Sequence, residues 1–546
     1  MTIAKKNNLF LAVISGIFLG IAFPPVPTGI TALFGFVPFF LLFGSIENYG
    51  TAFRYSYLTF FIFGLITSYW AGGFAYCRDT YQMTAGILLL LVHPLFFYVP
   101  IVGWIFIRRH LHYPMAICVF PFLWNAFEYL HSMSELSFPW LTLGNTQTYD
   151  LAIVQMASLT GVYGISFWIL FLNVFIFYLC VKIALGTWEP ISKRSFIFVG
   201  IILVLYFLPK IYGNYVINHQ EKGSGNKVRV AIIQPNIDPF EKWLDNPEHP
   251  LEVIEQQTNE LAGKKIDLVI WPETAVPFYI LHPTNTYHLA RIKNQVDKLN
   301  VNLLTGIPDI RYYREGDKIP KTSKVSLDGE RYDTFNSSML LRPHKDEIQK
   351  YAKNILVPFA ERVPFSEQLS FLNAMQWNFG LGGWASGCDT VVFQFTSSSG
   401  RTHIFSNMIC YESVFPGFVS AFVRKGAEFL TVITNDSWWG NTSGTYQHKQ
   451  YAILRAVENR RWVVQGTNGG ISCFIDPYGY TVKETGMYEK ITLIDTVEAR
   501  NELTYYTRHG DWFAELCLVI TVIFMAASFG RKVYSKIRMR QLDGIY

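Results

Sequence analysis

The stretch HIFSNMICYESVFPG, residues 403–417, places a cysteine at the point where a strand-like pattern stops. An apolar run at 404–409 precedes Cys410, and Tyr411, Glu412 and Ser413 lead on to a Phe-Pro-Gly turn. This pattern predicts a β-strand whose end projects the Cys410 thiol into a sharp turn, where nucleophiles are well presented. The alternative is that Cys410 is a small buried hydrophobe, as free cysteines on strands often are.

Similar short β-rich runs recur around this stretch and are separated by helical patterns and turns. They lie at 228–234, 267–271, 302–306, 338–341, 403–409, 428–434 and 471–475. Strands that alternate with helical segments predict a folded α/β domain, which we place at 227–500. A polar, glycine-containing linker at 213–226 precedes this domain.

The rest of the chain has the composition of a membrane protein. The sequence is 50% hydrophobic and only 16% charged, which is too apolar for an ordinary soluble enzyme. Apolar stretches of about 17 to 25 residues can cross a bilayer as helices. Eight candidates lie near 8–24, 29–47, 54–71, 86–107, 114–130, 164–185, 195–212 and 512–530. We therefore predict a multi-pass helical domain of about eight spans, seven of them in 1–212 and one at 511–530, and a basic tail at 531–546.

The positive residues predict the orientation of these spans. Alternate loops and the chain ends hold Lys5, Lys6, Arg54, Arg108, Arg109, Lys182, Lys193, Arg194, Arg531, Lys532, Lys536, Arg538 and Arg540. The other short loops hold only Arg78. Because positive residues favour the cytoplasmic side, both termini are expected inside and the 213–511 region outside the cytoplasm. Membrane orientation thus explains the net charge of +5. A nucleic-acid partner is not predicted, because the sequence has no dense stripe of Lys and Arg residues.

A cysteine nucleophile needs a base to take its proton and a positive charge to stabilise the thiolate. Glu273 follows the run at 267–271 in the sequence WPETA, and Lys353 begins the sequence KNILVPF. Each residue alone could be an ordinary surface charge, but three such positions at strand ends favour a joint catalytic role. The other cysteines form no CxxC or CxxH pair, so neither a metal site nor a disulfide framework is predicted, and Cys473 is interpreted as a buried hydrophobe.

These residues resemble the Glu–Lys–Cys triad of the nitrilase (carbon–nitrogen hydrolase) superfamily, matched by WPETAVP, YAKNILVPF and ICYES. A nitrilase-like domain between membrane spans is similar, more specifically, to the apolipoprotein N-acyltransferase family. Further matches are AIIQPNI, FPWLTLGNTQ, KNILVPFAERVPF, CYESVFPG, TNDSWWG, RAVENRRW and TNGGIS.

This resemblance implies an αββα sandwich and acyl transfer through a Cys410 thioester, without a cofactor. The implied donor is a phospholipid, and the acceptor is the amine of a lipoprotein's diacylglyceryl-cysteine. The implied location is the bacterial inner membrane, with the catalytic domain in the periplasm. Supporting roles are implied for Glu361, Glu412 and Tyr411, and a position near the substrate for Trp243.

The segment 365–384 is too apolar for a loop exposed to water. We interpret it as a lid that enters the outer leaflet, because aromatic residues favour that interface and glycines permit hinging. A buried helix and turn is the alternative. Two residues of this segment, Trp377 and Trp384, are candidates for lipid contact. Trp438 and Trp439 are further candidates, although core packing explains these two equally well.

Two other functions stay open at this point. A membrane-tethered amidase or hydrolase would pass its thioester to water, and a transporter or scaffold would only bind lipid. His448 is interpreted as a polar residue at a helix start. His93, Glu128 and His131 lie in or beside predicted spans, where polar groups are often functional, but the sequence assigns them no role.

Overall fold

The computed structural model describes residues 5–44, 46–74, 80–221, 223, 225–239, 248–369, 371–372 and 383–543. Trp243 and Trp377 lie outside these residues, as does most of the predicted lid. The described chain forms a helical region, an α/β domain and a final long helix.

The helical region comes first in the chain. Its helices are α1 (Lys5–Ile21), α2 (Ala32–Phe43), α3 (Tyr49–Ser68), α4 (Thr80–Phe96), α5 (Tyr98–His110), α6 (Tyr113–Ser132), α7 (Leu151–Val154), α8 (Ala157–Ala184) and α9 (Lys193–Asn218). The α/β domain carries α10 (Glu248–Asn259), α11 (Thr286–Leu299), α12 (Pro416–Arg424), α13 (Ser443–Asn459) and α14 (Tyr505–His509), and α15 (Trp512–Asp543) follows it.

Four helical stretches within the described residues are long and apolar enough to cross a membrane. They are Thr80–His110, Ala157–Ala184, Lys193–Asn218 and Trp512–Met539. α1 and α2 are apolar but only 17 and 12 residues long. α3 and α6 have 20 residues each but include polar side chains such as Arg54 and Glu128. The predicted count of eight spans is therefore not confirmed.

Basic residues from distant parts of the chain meet at one end of the helical region. Arg108 donates to the backbone carbonyls of Phe43 and Ile46, where α2 ends. Arg531 of α15 donates to the carbonyl of His110 at 3.4 Å, where α5 ends. Residues that the charge pattern assigned to one side of the membrane thus lie at the same end of the bundle.

The α/β domain contains two sheets. The strands are β1 (Lys227–Gln234), β2 (Leu268–Ile270), β3 (Asn302–Tyr312), β4 (Lys324–Val325), β5 (Arg331–Leu341), β6 (Gln349–Ala352), β7 (Val392–Thr396), β8 (Thr402–Ile409), β9 (Phe429–Thr434), β10 (Val463–Thr467), β11 (Cys473–Ile475), β12 (Thr481–Glu484) and β13 (Ile491–Glu498). The first sheet has the order β13-β1-β2-β3-β5-β4, with β6 also paired to β5. The second has the order β12-β11-β10-β9-β8-β7. Each β-rich run predicted from the sequence coincides with one of these strands.

The two sheets pack face to face between helices, which confirms the αββα sandwich. On β1, Ala231 and Ile233 pack in one apolar cluster with α10 and α11, whereas Val230 and Ile232 belong to the core between the sheets. This alternation follows from the two-residue period of a strand. Gly466 of β10 allows the second sheet to lie close to β2 of the first sheet, because a Cβ at Gly466 would lie only 3.1 Å from a methyl carbon of Ile270.

Candidate active site

Cys410 directly follows β8 and opens the short 3-10 turn Cys410–Val414. Its φ of 53° lies in the left-handed region, which is uncommon for a residue with a side chain and is typical of strained functional turns. Glu412 holds the turn, since its Oε2 accepts a hydrogen bond of 2.8 Å from the backbone N–H of Ile409. The strand end predicted for Cys410 is therefore confirmed.

Glu273 lies three residues beyond the end of β2, after Pro272. Its Oε1 accepts from the side-chain amide of Asn336 at 2.7 Å, and its Oε2 accepts from the backbone N–H of Asn435 at 3.2 Å. Gly306 of β3 makes room for this turn, because a Cβ there would lie 2.7 Å from the Glu273 Cα. The two hydrogen bonds fix the direction of the carboxylate.

Lys353 is the first residue after β6, and its side chain is 1% exposed. Its Nζ lies 2.8 Å from Glu361 Oε1 and 3.5 Å from Glu273 Oε1. Burial alone lowers the pKa of Lys353, but the Glu361 and Glu273 carboxylates outweigh burial and hold the pKa above its ordinary value. The ammonium therefore stays charged between two carboxylates.

The Cys410 thiol lies within electrostatic range of both charged partners. Burial raises its pKa well above the ordinary value, the Glu273 carboxylate raises it further, and the Lys353 ammonium opposes both. The resting thiol is therefore protonated and needs a base at the moment of attack. The structure brings Glu273, Lys353 and Cys410 together as the sequence predicted, in an arrangement suited to nucleophilic acyl transfer.

Glu361 and Glu412 support the two sides of this arrangement. Glu361 Oε2 accepts from the backbone N–H of Val357 at 2.8 Å, while its other oxygen meets Lys353. Glu412 is fully buried and accepts four hydrogen bonds, from the hydroxyl of Tyr351 and the backbone N–H groups of Asn354, Ile355 and Ile409. Burial raises the pKa of the Glu412 carboxyl to about 7, although the hydrogen bonds that it accepts lower the pKa. Glu412 thus joins the Lys353 loop to the Cys410 turn.

Asn336 is a site residue that the sequence analysis missed. Its side-chain amide donates to Glu273 at 2.7 Å and to Glu361 at 3.2 Å, so it holds both carboxylates beside Lys353. The available signal was a polar residue inside the buried half of β5. Buried polar side chains need partners, and such a residue in a strand indicates a nearby polar site.

Tyr411 connects the nucleophile turn to the helical region. Its hydroxyl donates to the backbone carbonyl of Ser137 at 2.8 Å, and its ring stacks against Trp140 with an interplanar angle of 10°. Trp140 also packs against Trp70 of the helical region and Trp439 of the α/β domain. Trp439 therefore lies in an aromatic cluster between the two parts of the chain.

Gln447 of α13 lies beside this cluster and uses all the hydrogen-bonding groups of its amide. Its oxygen accepts from the indole N–H groups of Trp70 at 3.0 Å and Trp140 at 2.7 Å. Its nitrogen donates to the carbonyls of Pro24 at 2.9 Å and Thr67 at 3.1 Å. One buried side chain thus joins the catalytic domain to the ends of three helical segments.

The other predicted aromatic contacts are only partly described. Trp384 forms a bridge with Thr334 and donates its backbone N–H to the Glu361 carbonyl at 3.3 Å. The backbone carbonyl of Trp438 accepts from the side chain of Gln82 at 3.4 Å. At the start of the predicted lid, Phe365 donates its N–H to Glu135, in the segment after α6, at 2.7 Å. The lid prediction itself stays untested.

In the helical region Glu128 has polar partners for one carboxylate oxygen, whereas Nε2 of His93 and Nε2 of His131 are buried without a hydrogen-bond partner. Glu128 accepts from the backbone N–H of Leu143 at 2.9 Å and from the indole of Trp124 at 3.0 Å, so it anchors the loop that carries Trp140. The rings of His93 and His131 pack against each other with centroids 5.2 Å apart. Among the residues that the structure describes, no group of three His, Cys, Asp or Glu side chains is placed to hold a metal ion.

Comparison with known families agrees with both parts of the fold. The apolipoprotein N-acyltransferase N-terminal domain matches residues 15–175, and the carbon-nitrogen hydrolase family matches residues 229–503. The apolipoprotein N-acyltransferase of Chlorobaculum tepidum is 37% identical over 96% of this chain and 97% of its own length. That of Geobacter metallireducens is 32% identical over 96% of both chains. These matches cover the helical region and the catalytic domain together, and the chain belongs to the apolipoprotein N-acyltransferase family.

Proposed function

We propose that this acyltransferase N-acylates lipoproteins through a thioester on Cys410. Glu273 is the base, and Lys353 is the positive charge that stabilises the oxyanion. The observation that carries the proposal is the buried Lys353 ammonium, 3.5 Å from Glu273, 2.8 Å from Glu361 and within electrostatic range of the Cys410 thiol. A charge fixed in such a site can stabilise the oxyanion that forms during acyl transfer.

The first half-reaction uses a phospholipid. Glu273 takes the thiol proton as Cys410 Sγ attacks the carbonyl carbon of an ester-linked acyl chain. Lys353 and the backbone N–H of Tyr411 stabilise the oxyanion. The bond between the acyl carbon and the glycerol oxygen then breaks, and that oxygen takes the proton back from Glu273. The products are a Cys410 thioester and a lysophospholipid.

The second half-reaction uses the α-amine of a diacylglyceryl-cysteine lipoprotein. The amine attacks the thioester carbon and gives a proton to Glu273. As the C–S bond breaks, that proton passes to the Cys410 sulfur. The product is an amide, and the enzyme returns to its starting state. Because one thiol serves both substrates in turn, ping-pong kinetics are expected.

The position of the thiol supports lipid substrates. The Cys410 turn contacts the helical region through Tyr411, Trp140 and Trp70, which are buried where the α/β domain meets the helices. A thiol held beside helices that are apolar enough to cross a membrane can reach a phospholipid ester and a lipid-anchored amine.

A pulse-chase experiment tests the proposal. The purified protein is mixed with phospholipid labelled in its acyl chain, and the thioester is detected on Cys410 by mass spectrometry. A diacylglyceryl lipopeptide with a free amine should then remove the label as an amide much faster than water does. The same lipopeptide with an acetylated amine is the control.

Two results would contradict the proposal. Release of free fatty acid at the same rate with and without the amine would identify a hydrolase. Phospholipid binding without any label on Cys410 would identify a lipid-binding protein instead of a transferase.

We also propose that the catalytic domain lies outside the cytoplasm, in the periplasm of a bacterium with its helices in the inner membrane. The gathering of Arg108, Arg109 and Arg531 at one end of the bundle supports this orientation, because positive residues favour the cytoplasmic side. Gln447 joins the catalytic domain to other segments of the helical region, which include Pro24 and Thr67.

The exposed thiol of Cys388 can report this orientation. A membrane-impermeant maleimide should label it in intact spheroplasts, and peptide mapping should find no label at position 388 in the Cys388→Ala variant. Labelling of Cys388 only after the membrane is broken would show that the domain faces the cytoplasm.

A further inference from the structure

His448 is a buried residue with no part in the acyl transfer described above. It lies in the second turn of α13 and is 1% exposed. Its Nδ1 lies 3.0 Å from Asp436 Oδ1, and its Nε2 lies 2.8 Å from the hydroxyl oxygen of Ser413. Both ring nitrogens are therefore occupied, so His448 is not free to act as the base for Cys410.

The contacts of His448 continue to the nucleophile itself. Ser413 belongs to the turn that Cys410 opens, and its hydroxyl lies 2.8 Å from the backbone carbonyl oxygen of Cys410. At the far end, Asp436 also accepts from the hydroxyl of Thr434 at 2.7 Å. A continuous hydrogen-bonded row thus runs from Asp436 through His448 and Ser413 to the Cys410 carbonyl.

The Ser413 hydroxyl links the two halves of this row. Its oxygen lies 2.8 Å from the Cys410 carbonyl oxygen and 2.8 Å from His448 Nε2. A carbonyl oxygen can only accept, so the hydroxyl is the donor in the contact with Cys410. His448 holds the hydroxyl from the other side and so fixes its position beneath the Cys410 carbonyl.

The Cys410 carbonyl belongs to the same peptide group as the N–H of Tyr411. A hydrogen bond to the carbonyl of a peptide polarises the group and makes its N–H a stronger donor. It also holds a left-handed backbone conformation in place, which Cys410 needs at its φ of 53°. The row therefore acts on the Tyr411 N–H, the proposed donor to the oxyanion.

We propose that His448 is a positioning residue that orients and polarises the Cys410–Tyr411 peptide through Ser413. This inference rests on the proposed thioester chemistry at Cys410. It assigns His448 an effect on the rate of acylation and no contact with either substrate.

A pair of variants separates the two contacts of His448. In His448→Asn the shorter amide can still meet Asp436 but does not reach Ser413, whereas in His448→Gln the amide can take the place of Nε2 beside Ser413. The rate of thioester formation should fall about ten- to a hundredfold in His448→Asn, as expected for the loss of one strong hydrogen bond. His448→Gln should recover a large part of that loss, and the KM for phospholipid should change less than about twofold in both variants.

Ser413→Ala breaks the same row from the other side without a large change of volume. Its rate should fall to a similar extent, and the double variant with His448→Asn should be no slower than either single variant, because both remove one shared link. The matched control is His403→Asn, which removes another buried histidine that meets a carboxylate, Glu428, at 2.8 Å. His403 lies at the far end of β8, so the acylation rate per folded molecule should not change.

Several results would overturn the inference. Equal acylation rates in the wild type, His448→Asn and Ser413→Ala would remove the positioning role. So would additive losses in the double variant, or a loss of the same size in His403→Asn. A wild-type protein that forms no thioester would instead disprove the proposed function, so the two failures can be distinguished.

Discussion

Replacement of Cys410 with serine should abolish the acyl-enzyme and lower turnover by at least about 10⁴-fold, the scale at which single members of a nucleophile–base pair act. A serine hydroxyl has a much higher pKa than a thiol, so the Glu273 carboxylate is too weak a base for it. The measurement is mass spectrometry of the protein after incubation with labelled phospholipid, together with the rate of amide formation.

Two other cysteines are the controls for this variant. Cys388 is exposed and Cys473 is fully buried in β11, and neither thiol acts on the Lys353 ammonium as Cys410 does. Cys388→Ala and Cys473→Ala should keep the acyl-enzyme. If Cys410→Ser retained wild-type turnover, or if Cys388→Ala were the inactive variant, the nucleophile would have been assigned to the wrong thiol.

Replacement of Lys353 with methionine should reduce both turnover and stability. Loss of one oxyanion donor lowers kcat by about 10²- to 10³-fold. The substitution also leaves Glu273 and Glu361 close together without their shared cation, and removal of one partner from a buried ion pair costs about 3 to 5 kcal/mol. Thermal unfolding of the detergent-solubilised protein measures the second effect, and thioester formation measures the first.

Lys350 provides a matched control on the preceding strand. Its ammonium lies 2.8 Å from Asp309, but the side chain is 47% exposed, so Lys350→Met should cost less than about 1 kcal/mol. Glu361→Gln added to Lys353→Met should restore part of the lost stability, because it removes one of the unpaired carboxylates. A Lys353→Met variant as stable as the wild type would show that the three charges are not coupled.

The strand-end positions of Glu273, Lys353 and Cys410 could be predicted because local signals place them there. Pro272 interrupts one apolar run, and the Phe-Pro-Gly turn follows another. Such effects act over a few residues and are visible in the sequence. The supporting positions of Glu361 and Glu412 came from the family resemblance, and their hydrogen bonds agree with that prediction.

The contacts of Asn336 and His448 could not be predicted, because they depend on packing between distant elements. Asn336 faces Pro308 in the β3–β5 pairing, and it reaches Glu273 only because β2 lies next to β3 in the sheet. His448 meets Ser413 across 35 residues of sequence because α13 packs beneath the Cys410 turn. No local pattern encodes either distance. The count of eight spans is not confirmed, because the apolar runs at 8–24 and 29–47 extend past the ends of α1 and α2, which are only 17 and 12 residues long.

The Gln447 amide has a consequence for how the two halves of this enzyme can be exchanged. Its two acceptor positions and two donor positions are all filled by Trp70, Trp140, Pro24 and Thr67. A catalytic domain joined to the helices of another protein would leave a buried amide unsatisfied, unless the new helices supplied two indoles and two carbonyls at the same places. A working chimaera therefore has to carry over the segments that hold these four partners together with the catalytic domain, and the junctions suited to domain exchange lie within the helical bundle and not at the linker.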